Sequence, residues 1–295
     1  MHLLITGGTG FIGSALIQSL LSEGNRVTIF SRQTLVDTAT CEYVQSLERI
    51  AENAHFDAVV NLAGESLANK RWSKAYKQKI VASRLTTTAT LIALLNRLPH
   101  KPEVLLNASA VGYYGHQGEV ELSEDAEVVP GFAQDLCQRW ETLACGAQDC
   151  GIRVCRLRFG VVLDRKGGAM DQMGAPFRLG IANWLGQGTQ WLSWIHRQDV
   201  IRAIQFLLER HELSGAFNIT APQPVTSRGF CEVMKRHQRT FITVPIPAFA
   251  LRLLVGEMAV ELLLNGQCVV PTALHRAGFT FLFPELDTAL EDILK

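Results

Sequence analysis

The sequence predicts an α/β chain on a doubly wound parallel sheet, and three observations carry that prediction. The chain opens on an apolar run, His2-Leu3-Leu4-Ile5, that enters a glycine-rich turn and then a helical pattern. Short apolar runs recur at 26–30, 57–62, 104–109 and 153–158, with helical patterns between most of them. Several of these runs end in small or hydroxyl residues, at the strand edge where open α/β sheets hold their ligands.

Residues 2–5 are almost wholly apolar, as a strand buried on both faces requires. Thr6-Gly7-Gly8-Thr9-Gly10-Phe11-Ile12-Gly13 follows, with Ala15, Leu16, Leu20 and Leu21 at helical spacing beyond it. A helix entered this way offers free N–H groups and a positive dipole end to the pyrophosphate of a dinucleotide. Gly7 permits the tight turn, Gly10 the approach of backbone to phosphate, and Gly13 the packing of helix on strand. The spacing is G-x-x-G-x-x-G rather than G-x-G-x-x-G, so position, more than pattern, makes the motif specific.

The second strand, 26–30, ends at Ser31-Arg32. An acid near this place, roughly 20 residues past the glycines, would hold a ribose 2′-hydroxyl, whereas a base takes a 2′-phosphate. Arg32 has the forked donors for phosphate, so NADP is the expected cofactor; the alternative is a solvated arginine at a strand end. Asp37 falls beyond the strand.

Residues 33–55 are polar and poorly periodic, and predict a shortened connection with a helix around 45–52. The third strand, 57–62, ends in Leu62-Ala63-Gly64, where small residues let backbone lie against a dinucleotide. A long helix spans 72–97, with Ile80, Leu85, Leu91, Leu94 and Leu95 as its apolar stripe, and Pro99 and Pro102 end it. The strand 104–109 leads into Ala110-Val111-Gly112-Tyr113-Tyr114-Gly115, a helix covers 132–147, and a strand at 153–158 runs on to 163.

Beyond 163 the character changes. Gly167-Gly168, Pro176-Phe177-Arg178 and a glycine-rich 180–188 precede a strand-like 191–196, a helix 199–209 capped by Asp199, and a strand 215–220. The expected division is a cofactor domain at 1–163, to which 189–220 returns. A smaller C-terminal α+β substrate lobe takes 164–188 and 221–295, including a helical tail at 245–295.

Composition excludes several classes. Among 295 residues, 28 Lys+Arg balance 28 Asp+Glu, which leaves no global field for nucleic acid or an anionic membrane. No apolar stretch approaches the ~20 residues of a membrane span, and Phe249 to Leu264 is interrupted by Arg252, Glu257 and Glu261. The N-terminus lacks a signal peptide's basic segment, and the seven cysteines form no C-x-x-C pair. A reduced cytoplasmic protein with no metal site is expected. Its partner is a small-molecule substrate, with no nucleic acid and no membrane; the oligomeric state is not read.

Taken together, residues 6–13, Asn61-Leu62-Ala63-Gly64, Ser109…Tyr114-Gly115 and Trp194-Ile195-His196…Asp199 resemble the extended short-chain dehydrogenase/reductases. The segments SAVGYYG (109–115), RFGVVL (158–163), PFRLG (176–180) and LNGQCVVP (264–271) are similar to the atypical, sugar-nucleotide-epimerase-like group, whose members end in a small domain of unknown function. The resemblance covers essentially the whole chain. It implies a Rossmann-type fold and NADP bound by the glycine loop (Gly7, Thr9, Gly10, Phe11, Ile12, Gly13), by Ser31 and Arg32, and by Leu62, Ala63 and Gly64. Arg84 and the 160–162 segment, with Val162, are implicated as well.

One departure stands out. Catalytic members of the wider superfamily pair a Ser or Thr with Y-x-x-x-K, whose i,i+4 spacing puts Tyr and Lys on one helix face. The Lys lowers the Tyr pKa so that the phenol exchanges a proton with substrate while hydride moves to or from nicotinamide. Anchored on Glu141, this helix has Ala133 at the Tyr position and Cys137 at the Lys position, and no Y-x-x-x-K occurs in the chain.

Ser109 is placed to hydrogen-bond a substrate carbonyl, or else to satisfy backbone at a strand end. Tyr113 and Tyr114 offer phenols, Tyr114 as a stand-in acid/base and Tyr113 as pocket lining. Without a Lys, a phenol stays near its ordinary pKa of about 10. Cys137 is an acid in principle, although a buried helical thiol is inert, and His196 with Asp199 reads either as a metal site or relay, or as a strand-to-helix junction. Arg71-Trp72, Arg178 and Trp194 are the residues expected around an anionic or nucleotide-linked ligand. Two functions follow: an NADP-dependent epimerase-like or oxidoreductase-like enzyme with non-standard proton transfer, or a catalytically silent NADP(H)-binding protein that reports redox state through a partner.

Overall fold

The polar backbone of so many apolar runs has to be paired away from water, and one parallel sheet pairs it. The computed structural model describes residues 1–295 except 68, 69 and 166. Its large sheet comprises β1 (His2–Thr6), β2 (Arg26–Phe30), β3 (Cys41–Val44), β4 (Ala58–Asn61), β5 (Val104–Ala110), β6 (Arg153–Phe159) and β7 (Gly215–Ile219). They lie in the order β7-β6-β5-β4-β1-β2-β3, with every neighbouring pair parallel. The chain thus winds outward from β1 one way, then returns to β4 and winds the other way. The crevice between the ends of β1 and β4 is the switch point where such sheets bind ligands.

Helices α1 (Phe11–Ser22), α2 (Lys74–Arg97), α3 (Phe132–Cys145) and α4 (Arg197–Glu209) cover the two faces. Alternate strand residues go to opposite sides. Leu3, Ile5, Val60 and Leu106 pack with Leu16 and Leu20 of α1 and Val200 and Ile204 of α4. Leu4, Val59, Leu105 and Val154 pack with Leu91 and Leu95 of α2 and Ala144 of α3. The rest of the chain adds α5 (Ser227–His237), α6 (Ala248–Val255) and α7 (Leu286–Leu294), together with two- and three-residue strands.

Three expectations are corrected. The helix expected at 45–52 is a single 3-10 turn, Leu47–Arg49, preceded by β3, which pairs with β2. Cys41-Glu42-Tyr43-Val44 is an edge strand mostly half-open to solvent, so it lacks the apolar run that marks an interior strand. The run 191–196 divides: Trp191–Leu192 pairs antiparallel with Val225–Thr226, and Trp194–His196 pairs parallel with Val161–Leu163.

Asp199 does not cap its helix. His196 does, its Nδ1 accepting the Gln198 N–H at 3.1 Å. The fully buried Asp199 carboxylate instead accepts the backbone N–H groups of Leu282 (2.8 Å) and Phe283 (2.9 Å) and pairs with Arg202 at 3.0 Å. It therefore pins the tail to α4, and Leu274, Phe279 and Phe281 of that tail enter the same core as the sheet. Replacing Asp199 with Ala strands two part-buried backbone donors and removes the Arg202 partner, so stability should fall by about 1–3 kcal/mol. A urea titration reads this as a lower midpoint at unchanged slope; a shift below about 0.5 kcal/mol would contradict the anchoring role.

Candidate functional site

The ends of β1, β4 and β5 are tied by a buried polar ladder. Thr6 Oγ1 donates to Asn61 Oδ1 at 2.5 Å and accepts the Ala63 N–H at 3.2 Å. Asn61 Nδ2 donates to Thr88 Oγ1 (2.8 Å) and Asn107 Oδ1 (2.6 Å), and Trp140 Nε1 donates to Thr88 at 2.9 Å. These bonds fix where Leu62, Ala63 and Gly64 leave the sheet.

The glycine loop sits against that strand end with no room for side chains. Gly7 has φ +70°, and a Cβ there would lie 2.6 Å from the Leu62 carbonyl. A Cβ on Gly13 would lie 2.3 Å from Gly7 O, so glycine alone lets α1 start this close to β1. Gly10, exposed, is the N-cap of α1 and donates its N–H to Gly7 O at 3.0 Å. No side chain caps this helix and no acid lies in its first turn, so its N-terminal dipole faces outward uncompensated. Thr9 is exposed, and Phe11 and Ile12 are half-buried. Arg197 lies over the Phe11 ring at 4.9 Å, donates to Phe11 O at 3.3 Å and pairs with Asp164. A Cβ on Gly168 would meet the same ring at 2.7 Å, so Gly167 and Gly168 lie across Phe11. Val162, half-buried, belongs to the short strand leading to that crossing.

At the end of β2, Ser31 is buried and its Oγ accepts the Gln33 N–H at 3.1 Å. Arg32 is exposed and forms no ion pair among the described residues. Arg84 reaches from α2 to a point under Gly64, donating to Glu65 O (3.1 Å) and Ile80 O (3.2 Å) and lying 5.2 Å from the Trp140 ring. Burial lowers its pKa, although Cys137, Glu65 and Tyr76 pull the other way. An arginine so placed stays charged.

Beside this edge the two hydroxyls put forward as catalytic are committed elsewhere. Ser109 Oγ donates to Glu141 Oε1 at 2.6 Å, and the serine is buried. Glu141 also takes a forked pair from Arg158, Nε to Oε1 at 2.9 Å and Nη2 to Oε2 at 3.0 Å, with both residues 2% exposed. Arg158 Nη1 donates to the Tyr114 hydroxyl at 2.9 Å, which in turn donates to Asn218 Oδ1 at 2.6 Å. Burial pushes the Tyr114 phenol up to about 12, against the opposing pull of Arg158. Tyr114 is fully enclosed, so a role in which it touches substrate is corrected.

Ser109 stands in register with Arg158 across β5 and β6, and that pairing turns its hydroxyl toward Glu141 rather than into the crevice. The sequence held a signal for this cluster: Arg156 and Arg158 alternate among the apolar residues that follow Arg153 in this strand, and Glu141 lies on the buried face of α3.

The other candidates are dispersed. Trp194 is a core residue, fully buried, with Nε1 donating to Gln223 O at 2.9 Å, which corrects its expected place around a ligand. Tyr113 is half-buried and lies flat on the Arg158 guanidinium at 3.5 Å. Arg178 is exposed and donates to Asp171 O at 3.2 Å. Trp72 is buried edge-on to Phe132 at 5.1 Å, while Arg71 stays exposed beside Gly256. A cleft of about 620 Å³ opens here between α2 and the start of α3, lined by Trp72, Lys77, Val81, Phe132 and Glu257 among others.

Ala133 and Cys137 do face the end of β5. A Cβ on Gly112 would lie 3.0 Å from Ala133 Cβ. Burial pushes the Cys137 thiol up to about 11, with Glu141 adding to the shift and the Ala110 backbone opposing it. A thiol so raised is inert at neutral pH.

With this geometry in place, likeness to known proteins becomes informative. The family model described as "NAD dependent epimerase/dehydratase family" matches residues 3–220. The chain belongs to this family. A domain of unknown function matches residues 246–293 of the same family member. An epimerase family protein of Staphylococcus saprophyticus is 38% identical over 301 residues, covering 99% of each chain, and one of Staphylococcus aureus is 36% identical over 296. Human epimerase family protein SDR39U1, solved with NADPH, superposes with a TM-score of 0.87 at 33% identity, covering 100% of this chain and 99% of that one. UDP-glucose 4-epimerase of Thermotoga maritima, at 18% identity and a TM-score of 0.79, shares the fold.

The buried pair yields a test. Glu141→Gln would leave Arg158 in a dry site without its counter-charge, so stability should drop by about 3–5 kcal/mol. A denaturant midpoint within about 1 kcal/mol of wild type would show that the pair is not the keystone of this edge.

Proposed function

We propose that this protein holds NADP(H) along the sheet edge and works on a small polar, nucleotide-linked substrate by hydride transfer. It does so without the Tyr-x-x-x-Lys pair of the wider superfamily's catalytic members. The observation that carries the cofactor half is the exposed, unpaired Arg32 at the end of β2, beside an uncapped glycine loop. The first-turn N–H groups following Gly10 would take the pyrophosphate, with Thr9, Phe11 and Ile12 along it and Gly7 and Gly13 keeping the space clear. Arg32, with Ser31, would take the 2′-phosphate through forked, charge-assisted bonds. Leu62, Ala63 and Gly64 would back the ribose and nicotinamide half, with Arg84 beneath them and Val162 opposite. The presence of NADPH in the human relative supports the same choice here.

The dinucleotide supplies the hydride; the chain positions it. On this reading 1–163 and 189–220 carry the cofactor, and 164–188 and 221–295 face the substrate. In this scheme the proton does not run through Tyr114, which is enclosed and whose pKa burial pushes up to about 12, making it a poor base near neutrality. A proton would then pass to or from water in the crevice.

A second reading, a silent NADP(H)-binding protein acting through a partner, is favoured by one specific observation: Ala133 and Cys137 occupy the acid/base helix face. Sustained cofactor-dependent conversion of any nucleotide-linked sugar would remove that second reading. For the cofactor, fluorescence titrations should show that Arg32→Ala weakens NADPH binding about 10–100-fold and leaves NADH within about twofold. An unchanged preference between the two would overturn the 2′-phosphate assignment.

A further inference from the structure

Eight of the large apolar side chains left in solvent fall in two stretches, 179–181 and 241–254, that strand pairing brings alongside one another at Ile181 and Ile242. Leu179 is 77% exposed, Phe241 74%, Phe249 73% and Leu253 75%, with Ile242 and Leu254 beside them in the chain. Ile181–Ala182 and Ile242–Thr243 pair as short parallel strands, with Ile181 opposite Ile242. Phe241 lies over Gly180, whose built Cβ would touch its ring at 2.5 Å. Consecutive residues 241–244 are all exposed, so both faces of this strand are wet. Pro245 and Pro247 then lead into α6, where Phe249 and Leu253 stand one turn apart beside Arg252, while Leu251 points inward.

Acidic residues are sparse along these stretches, and the one that follows α6, Glu257, is paired with Lys77 at 2.7 Å. The sequence contains no Asp or Glu between Asp171 and Asp199, nor between Glu232 and Glu257. Arg178, Arg239 and Arg252 are exposed and form no ion pair among the described residues. Arg239 lies 5.4 Å from the Phe241 ring.

We propose that this surface docks onto an anionic lipid bilayer, with Phe241, Phe249 and Leu253 entering the acyl boundary and the three arginines meeting the headgroups. A rigid partner of fixed shape covers one face of a strand, whereas a fluid phase surrounds both. A second copy meeting this patch through a two-fold axis would set arginine against arginine, with only Glu257, already held by Lys77, near it in the chain. Aromatic and leucine side chains with interspersed arginines and no acids are the composition of an interfacial anchor. Neither the balanced net charge nor the lack of a long apolar run bears on a local patch, since charges beyond about 10 Å are screened. No helix among the described residues is long and apolar enough to cross a membrane, so the docking lies at the surface.

Co-sedimentation of the intact protein with vesicles tests this. Vesicles of phosphatidylcholine mixed with phosphatidylglycerol should pellet it at low salt. Pure phosphatidylcholine, or about 0.5 M salt, should release it. Arg239→Glu with Arg252→Glu should weaken binding more than tenfold, at about fivefold or more for each cation. Phe249→Ser with Leu253→Ser should weaken it comparably, with NADPH binding unchanged as the control for folding. Failure of the wild type to pellet with anionic vesicles would overturn the proposal, as would equal binding to pure phosphatidylcholine. So would a dimer in sedimentation equilibrium that the Phe249/Leu253 variant dissolves, because that would make a second copy the occupant.

Discussion

A carboxylate and a guanidinium shut away from water have to satisfy one another and every remaining lone pair and proton. Glu141 and Arg158 do this by recruiting their surroundings. Ser109 closes one side of the carboxylate, and Tyr114 and the Glu124 carbonyl take the outer nitrogen of the guanidinium. Asn218 then holds Tyr114 from β7, so β5, β6, β7 and α3 are fastened at a single point. The residue types that a catalytic centre would use are present at this edge, but the buried pair consumes their hydrogen-bonding capacity. The glycine loop therefore stands next to a region whose polar groups are already committed to one another.

The cradle depends on a different constraint, the exclusion of atoms. Gly7 and Gly13 are glycine because a Cβ at either would overlap backbone at 2.6 and 2.3 Å. The Thr6–Asn61–Thr88–Trp140 ladder keeps the neighbouring strand ends from drifting as the loop closes on them. Thr9, Gly10, Gly64 and Arg32 are the exposed members of this edge.

The sheet and the loop were legible in the sequence because both depend on local pattern. Buried strands read as apolar runs, and a glycine loop between strand and helix reads as a turn with a purpose. β3 escaped because an edge strand half in water has no such run, and Gln45 to Glu52 carried enough polar residues to pass for a helix. The site beside the loop was less legible, since its contents depend on register. Nothing local in Ser109-Ala110-Val111-Gly112-Tyr113-Tyr114 says that Arg158 will stand opposite the serine and Asn218 opposite the second tyrosine. Trp194 shows the same limit, because an aromatic in a short strand can face a cleft or a core, and only packing against Phe230 and Met234 decides. Asp199 was read correctly as important to the junction and wrongly as its cap, because its partners Leu282 and Phe283 lie far along the chain.

The claim that no phenol here is poised for proton transfer can be measured directly. The chain has four tyrosines, and phenolate absorbance of the NADP⁺ complex can be followed from about pH 6 to pH 10. With Tyr114 held up to about 12, the phenolate signal that Tyr114→Phe removes should not develop below about pH 9. One equivalent of phenolate titrating near neutrality, and lost in Tyr113→Phe or Tyr114→Phe, would contradict the account and return a working acid/base to this site.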